Sequence, residues 1–197
     1  MLNDESVSRI AAVVSGRKAI LAVVHAEEAE GINRIPAVMA EALETRLRGV
    51  GALRMDTEIV QANRAGHTGA TGWARIAQPA LFDGAIETGA QYVIVDDFIG
   101  QGGTIANLRG HIEYNGGRVI LDTGLTGQGY SAKLFLSRVT LSTLRAKHGS
   151  ELEDWFHKTF GYGLDRLTES EARYLTRAES LDTIRNRLAQ ARSQANR

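Results

Sequence analysis

The run Tyr92-Val93-Ile94-Val95-Asp96-Asp97-Phe98-Ile99-Gly100-Gln101-Gly102-Gly103-Thr104 constrains the fold of this chain more than any other stretch. Its apolar start predicts a buried strand, and beyond Thr104 the residues Ile105, Leu108 and Ile112 recur at helical spacing. Between them lies a glycine-rich turn, so the segment predicts a strand, a tight loop and a helix N-terminus in succession. Such a junction presents unpaired backbone N–H groups to an anion. Two adjacent carboxylates in mid-strand would point to opposite faces and drive one into the core. Asp96 and Asp97 are therefore expected at the strand's C-terminal end, where open α/β sheets bind their ligands.

The flanking sequence repeats this alternation. Val7, Ile10, Val13 and Val14 share one face of a helix over about 4–14, with Gly16 as its stop. Ala19-Ile20-Leu21-Ala22-Val23-Val24 is a continuous apolar run of the kind that a parallel sheet covers on both faces. Pro36 suits the first turn of a helix reaching about Arg48, with Val38, Met39, Ala42, Leu43 and Leu47 as its expected buried positions. Further strands are expected over 57–61, 80–82 and 118–122, the last following the strong C-cap Asn115-Gly116-Gly117. Asn63 to Gly72 is dense in turn formers and is expected to form a mobile loop over a site. The pattern implies an α/β fold with a doubly wound, mainly parallel sheet.

From about Ser131 the texture becomes helical. Ser150-Glu151-Leu152-Glu153 and Thr168-Glu169-Ser170-Glu171 each have the spacing of a capping box, in which two orphan N–H groups are satisfied reciprocally. Leu152, Trp155, Phe156 and Phe160 fall at core spacing before Gly161, and Leu181, Ile184, Leu188 and Ala191 mark a last helix. The expected organisation is an α/β core over 1–130 and a helical C-terminal extension over 131–197.

Lys plus Arg and Asp plus Glu both number 23, so no global charge attracts nucleic acid or an anionic membrane, and neither is expected as a partner. The absence of cysteine excludes disulfides, thiolate nucleophiles and Cys-based metal centres. No apolar run approaches the roughly 20 residues that span a bilayer. The start Met1-Leu2-Asn3-Asp4-Glu5-Ser6 lacks the basic and apolar regions of a secretory signal, so a cytoplasmic location is expected.

Two consecutive carboxylates can hold the adjacent hydroxyls of a ribose while the loop beyond them holds its phosphate. Gly100, Gly102 and Gly103 let backbone N–H groups approach phosphate oxygens, and the Thr104 hydroxyl adds a donor. The loop is not a Walker A motif, because no lysine precedes Thr104, and its glycines do not fit the dinucleotide-binding spacing. At these residues the chain resembles the type I phosphoribosyltransferases, whose signature is an apolar strand, two acidic residues, two apolar residues and a Gly-Gly-Thr loop. Glu30-Gly31-Ile32-Asn33-Arg34, ahead of a helix rich in Ala and Leu, looks like the corresponding segment of the ComF-like branch. The resemblance covers about residues 19–125.

That resemblance implies a site for phosphoribosyl pyrophosphate (PRPP). It assigns Asp96 and Asp97 to the ribose hydroxyls and Gly100, Gln101, Gly102, Gly103 and Thr104 to the 5′-phosphate. His25, Ala26 and Glu27 would face pyrophosphate, with Asn33 and Arg34 as further candidates, and Arg64 and His67 would close over it from the loop. Mg²⁺ is the implied cofactor, held mainly by substrate oxygens near Asp96 and Asp97. The implied partners are PRPP, a nucleobase and a second copy of the chain as a homodimer, the C-terminal helices serving as a hood or an oligomer contact. Three features depart from the family pattern. Gly100 stands where some purine-specific members carry a catalytic carboxylate, Gln101 replaces a Thr or Ser, and Glu27, Glu28 and Glu30 crowd the pyrophosphate loop. The expected activity is transfer of ribose 5-phosphate to a nitrogen base; the alternative is a silent PRPP-binding regulator.

Overall fold

The computed structural model describes residues 2–24, 27–28, 31–63, 71–127 and 133–195. The chain divides into two compact units. Met1–Arg64, Ala80–Ile99 and Thr104–Gly127 form the first, and Ala65–Pro79, Gly100–Gly103 and Gln128–Arg197 form the second.

The first unit is built on an all-parallel, four-stranded sheet. Its strands are β1 (Lys18–Val23), β4 (Ala52–Met55), β7 (Gln91–Ile99) and β8 (Arg118–Gly127), ordered β4-β1-β7-β8. Leu21, Val23, Val93 and Val95 pack on one face against Ile10 and Val14 of α1 (Asp4–Val14) and Met39, Ala40 and Leu43 of α2 (Ile35–Arg46). The alternate residues Ile20, Ala22, Tyr92 and Ile94 are equally buried, as the continuous apolar runs require. On that face a Cβ at Gly117 would meet both Tyr92 and Ile112, which places α4 (Gly103–Tyr114) there, with Ile105, Leu108 and Ile112 buried. The sheet is thus wound on both sides, as its alternating sequence predicts. Two small antiparallel pairs complete the unit: β2 (Glu27–Glu28) with β3 (Gly31–Ile32), and β5 (Val60–Gln61) with β6 (Phe82–Asp83).

Three local expectations are corrected. In α2 the buried stripe is Pro36, Met39, Ala40 and Leu43, whereas Val38 is 58% exposed, because it falls on the turn opposite that stripe. The strand expected over 57–61 gives way to β4 at Ala52–Met55 and the two-residue β5. Asp56 ends β4 by accepting the N–H groups of Glu58 at 2.9 Å and Ile59 at 2.7 Å, an Asx-type turn that bends the chain where a strand was expected. Finally, β8 runs to Gly127 rather than stopping near Asp122.

The second unit is helical: α3 (Gly72–Ala77), α5 (Arg138–Phe160), a 3₁₀ turn (Leu164–Arg166), α6 (Glu169–Thr176) and α7 (Leu181–Ala195). Ile76, Leu144, Leu152, Phe156, Leu175, Ile184 and Leu188 form its core, and the Phe156 ring meets Phe160 in a tilted contact and Tyr162 edge-on. The capping box at Thr168 forms as its spacing predicts. At Ser150 it does not: the chain breaks one residue earlier, at Gly149 (φ 72°, ψ −179°), and Glu153 turns instead to Arg145, whose Nε donates at 2.7 Å. Gly161 ends α5 in the left-handed conformation favoured by glycine (φ 81°). Among the described residues no helix is long and apolar enough to cross a membrane.

Candidate functional site

In the first unit the strand order reverses between β1 and β7, since β4 follows β1 outward on one side and β8 follows β7 on the other. Crevices for ligands open at such a reversal, beyond the carboxyl ends of the strands. The two strands end there at different heights. The last register pair is Val23 with Val95, and the Val24 N–H donates to the Val95 carbonyl at 3.0 Å. Beyond it β7 continues through Asp96, Asp97, Phe98 and Ile99, paired only with β8, with Asp96 opposite Gly124 and Ile99 opposite Gly127.

This geometry corrects the expected placement of the acidic pair. Asp96 and Asp97 lie within the strand, and the predicted conflict between the two faces is real: Asp96 is only 6% exposed. Burial, reinforced by the neighbouring charge of Asp97, pushes the Asp96 carboxyl up to about 7. Its Oδ1 accepts the Asp97 N–H at 2.8 Å. Asp97 is half-buried, and its Oδ2 accepts a hydrogen bond from Asn33 Nδ2 at 3.0 Å. Asn33 is itself fixed, because its Oδ1 accepts the Ile35 N–H at 3.1 Å in the first turn of α2. A single side chain therefore links the first turn of α2 to the Asp97 carboxylate within β7. Arg34 is exposed and occupies the N-cap of α2 without a side-chain capping bond.

The glycine loop belongs to the second unit. Gly102 is buried with φ 81°, a conformation that a β-carbon would strain, and α4 starts at Gly103. The Gln101 carbonyl accepts the Thr168 hydroxyl at 2.8 Å, and a Cβ at Gly72 would meet Gln101 Nε2 and the Tyr174 ring. Gln101 Oε1 is buried with no hydrogen-bond partner. A Cβ at Gly103 would collide with the Glu171 carboxylate. Thr104 follows as a half-buried residue in the first turn of α4.

Of the remaining candidates, His25, Ala26, Arg64 and His67 lie outside the described residues, and Glu27 lies in the backbone pairing of β2 with β3. The structure thus brings together Asp96, Asp97 and Asn33 in one unit, and adds Thr168, Glu171 and Gly72 around the loop in the other. Those three were not foreseen as site residues. Gly72 ends the 63–72 stretch expected as a loop over a site, whereas the only sequence signal of Thr168 and Glu171 is their spacing, which announces a helix start and says nothing of what that start touches. Chemically, the Asp pair offers one carboxyl that exchanges its proton near neutrality and one held by an amide donor, an arrangement suited to accepting hydrogen bonds from paired hydroxyls. Among the described residues, no group of three His, Asp or Glu side chains is gathered to hold a metal ion.

No family model matches the chain. Over 195 residues it is 39% identical to protein TraN of Escherichia coli, an alignment that takes in 99% of this chain and 43% of TraN. It is 38% identical over 112 residues to an uncharacterized protein of Haemophilus influenzae, covering 57% of this chain and 24% of that protein. The chain therefore spans less than half the length of these curated relatives. Among solved structures, an adenine phosphoribosyltransferase is similar with a TM-score of 0.37 and 17% identity, over 66% of this chain and 74% of that one. The adenine phosphoribosyltransferase of Saccharomyces cerevisiae, solved with an imino-altritol bisphosphate and adenine, aligns with a TM-score of 0.34 and 18% identity, over 66% of this chain and 73% of that one.

Proposed function

We propose that this chain is a PRPP-dependent phosphoribosyltransferase of the type I fold, transferring ribose 5-phosphate to a nitrogen base. The observation that carries the proposal is the position of Asp96 and Asp97 at the strand-order reversal, where β7 outruns β1 and Asn33 orients the second carboxylate. In this reading the pair accepts the ribose hydroxyls, and the consecutive segment from Gly100 to Thr104 supplies N–H donors to the 5′-phosphate. A ring nitrogen of the base attacks C1 of the sugar, the bond from C1 to the pyrophosphate oxygen breaks, and pyrophosphate leaves while the nitrogen loses its proton. The chain's own contribution is to position the reactants and offset developing charge. Two hard carboxylates suit Mg²⁺, which takes one or two such ligands and otherwise the oxygens of substrate phosphates. When bound, it would neutralise charge on the departing pyrophosphate.

A second reading, a PRPP-binding regulator without turnover, is favoured by Gly100, which offers no side chain to take the proton of a purine. One experiment separates the two. The protein is incubated with PRPP, Mg²⁺ and a panel of purine and pyrimidine bases, with pyrophosphate release and thermal stability followed together. Release supports the enzyme, whereas stabilisation by PRPP without release for any base supports the regulator. The absence of any thermal shift at about millimolar PRPP removes both, since a ligand that binds the native state must raise its apparent stability by mass action.

A further inference from the structure

Within the second unit the glycine loop already has a carboxylate against it. Glu171 is 8% exposed, and its Oε2 accepts the Thr168 N–H at 2.8 Å. Its Oε1 occupies the space that a β-carbon at Gly103 would need, so that even a methyl group at that position would collide with it. The same capping box reaches the loop a second time, because the Thr168 hydroxyl that accepts the Glu171 N–H at 3.2 Å donates to the Gln101 carbonyl at 2.8 Å. The box therefore does more than start α6: it seats an acidic side chain at the first residue of α4. Burial raises the Glu171 carboxyl, and among the described residues the opposing effect comes from its hydrogen bonds with Thr168 and not from a cation.

We propose that Glu171 sets the anion affinity of the Gly100–Gly103 loop, so that a phosphate seated at the start of α4 must share that end with, or displace, this carboxylate. The inference rests on the loop being the phosphate cradle of the function proposed above. Two negative charges at a common, partly desolvated backbone site repel strongly. The loop then accepts its ligand only when the carboxylate is neutral or has moved aside, which makes α6 a determinant of occupancy for a site whose other residues lie elsewhere in the sequence.

Glu171→Gln removes the charge but keeps an acceptor for the Thr168 N–H, because glutamine serves a capping box as glutamate does. Wild type and variant are titrated calorimetrically with inorganic phosphate and, separately, with PRPP and Mg²⁺, and circular dichroism checks that both are folded. The expected result is binding of both ligands about tenfold tighter or more in the variant. Unchanged or weaker affinity for both ligands, where the wild type binds PRPP, overturns the role of Glu171 and leaves the PRPP site standing. Tighter phosphate with no PRPP binding by either protein keeps that role and overturns the sugar assignment. No binding of either ligand by either protein overturns both. Should Glu171→Gln not fold, Glu171→Ala provides the same comparison with the capping bond sacrificed.

Discussion

Asp96 is the residue on which the chemistry and the stability of the first unit meet. Its carboxyl rises from 3.8 to about 7 on folding, so between those values the folded chain holds a proton that the unfolded chain has released. Stability from this group is therefore complete below about pH 4 and lost as pH rises through 7, a contribution on the order of 4 kcal/mol. Asp96→Asn should flatten the dependence: in urea unfolding at pH 5 and pH 8, the wild type should lose more stability across the interval than the variant. Equal losses would show that the buried carboxyl is not protonated in the fold. Asn33 makes the companion prediction. Asn33→Ala removes the bond to Asp97 and the bond to the Ile35 N–H, and should cost about 1–2 kcal/mol in a thermal melt. In the proposed function it should also weaken PRPP binding severalfold, and a variant that melts early but binds PRPP normally would confine Asn33 to a structural role. None of this burial is visible in the acidic pair itself, because it depends on β8 running on to Gly127 and pairing with β7 past the end of β1.

At the scale of elements, periodicity succeeds where one face is buried and fails where pairing or tertiary contact decides. β1, β7, α1 and α4 follow from apolar runs and helical spacing, since Leu21, Ile94, Val14 and Leu108 are fully buried. β4 is an edge strand of alternating exposed and half-buried residues, Ala-Leu-Arg-Met, with no β-branched side chain to announce it. The six-residue α3 is too short for its spacing to register, although Thr71 caps it by accepting the Ala74 N–H at 3.3 Å. The two capping-box motifs, identical in type, diverge because Glu153 has Arg145 within reach, whereas among the described residues Glu171 is held by Thr168 and by no cation. Their substitutions should diverge accordingly. Thr168→Ala loses both the box and the bond to the Gln101 carbonyl, and should cost about 1–2 kcal/mol, whereas Ser150→Ala should stay within about 0.5 kcal/mol of wild type. Chemical denaturation of the pair checks this, and an equal cost at the two sites would mean that spacing alone governs.

For the whole molecule, the organisation departs from a division at residue 130, because the second unit takes Ala65–Pro79 and Gly100–Gly103 from within the first 130 residues. Ile76 and Ala77, which lie between the loop expected over 63–72 and the strand expected over 80–82, belong to the same core as Phe156 and Leu188. A fragment of residues 1–130 should therefore retain α3 and the glycine loop with their core partners removed. It is expected to melt without a cooperative transition or to bind a hydrophobic dye, and a sharp, dye-free transition would show that the first unit folds on its own. In the intact chain, Phe156→Ala should cost about 3–5 kcal/mol, the usual loss for a fully buried aromatic.

The interleaving of the two units also bears on how such a chain is inherited. The polypeptide changes unit after residues 64, 79, 99, 103 and 127, and two of those changes flank the glycine loop. No single contiguous stretch of gene encodes either unit, so recombination at any one of these points delivers an incomplete core to both products. Helices and glycine loop must then be transmitted, and must drift, as one block, and a substitution at Glu171 answers to residues encoded some seventy codons upstream.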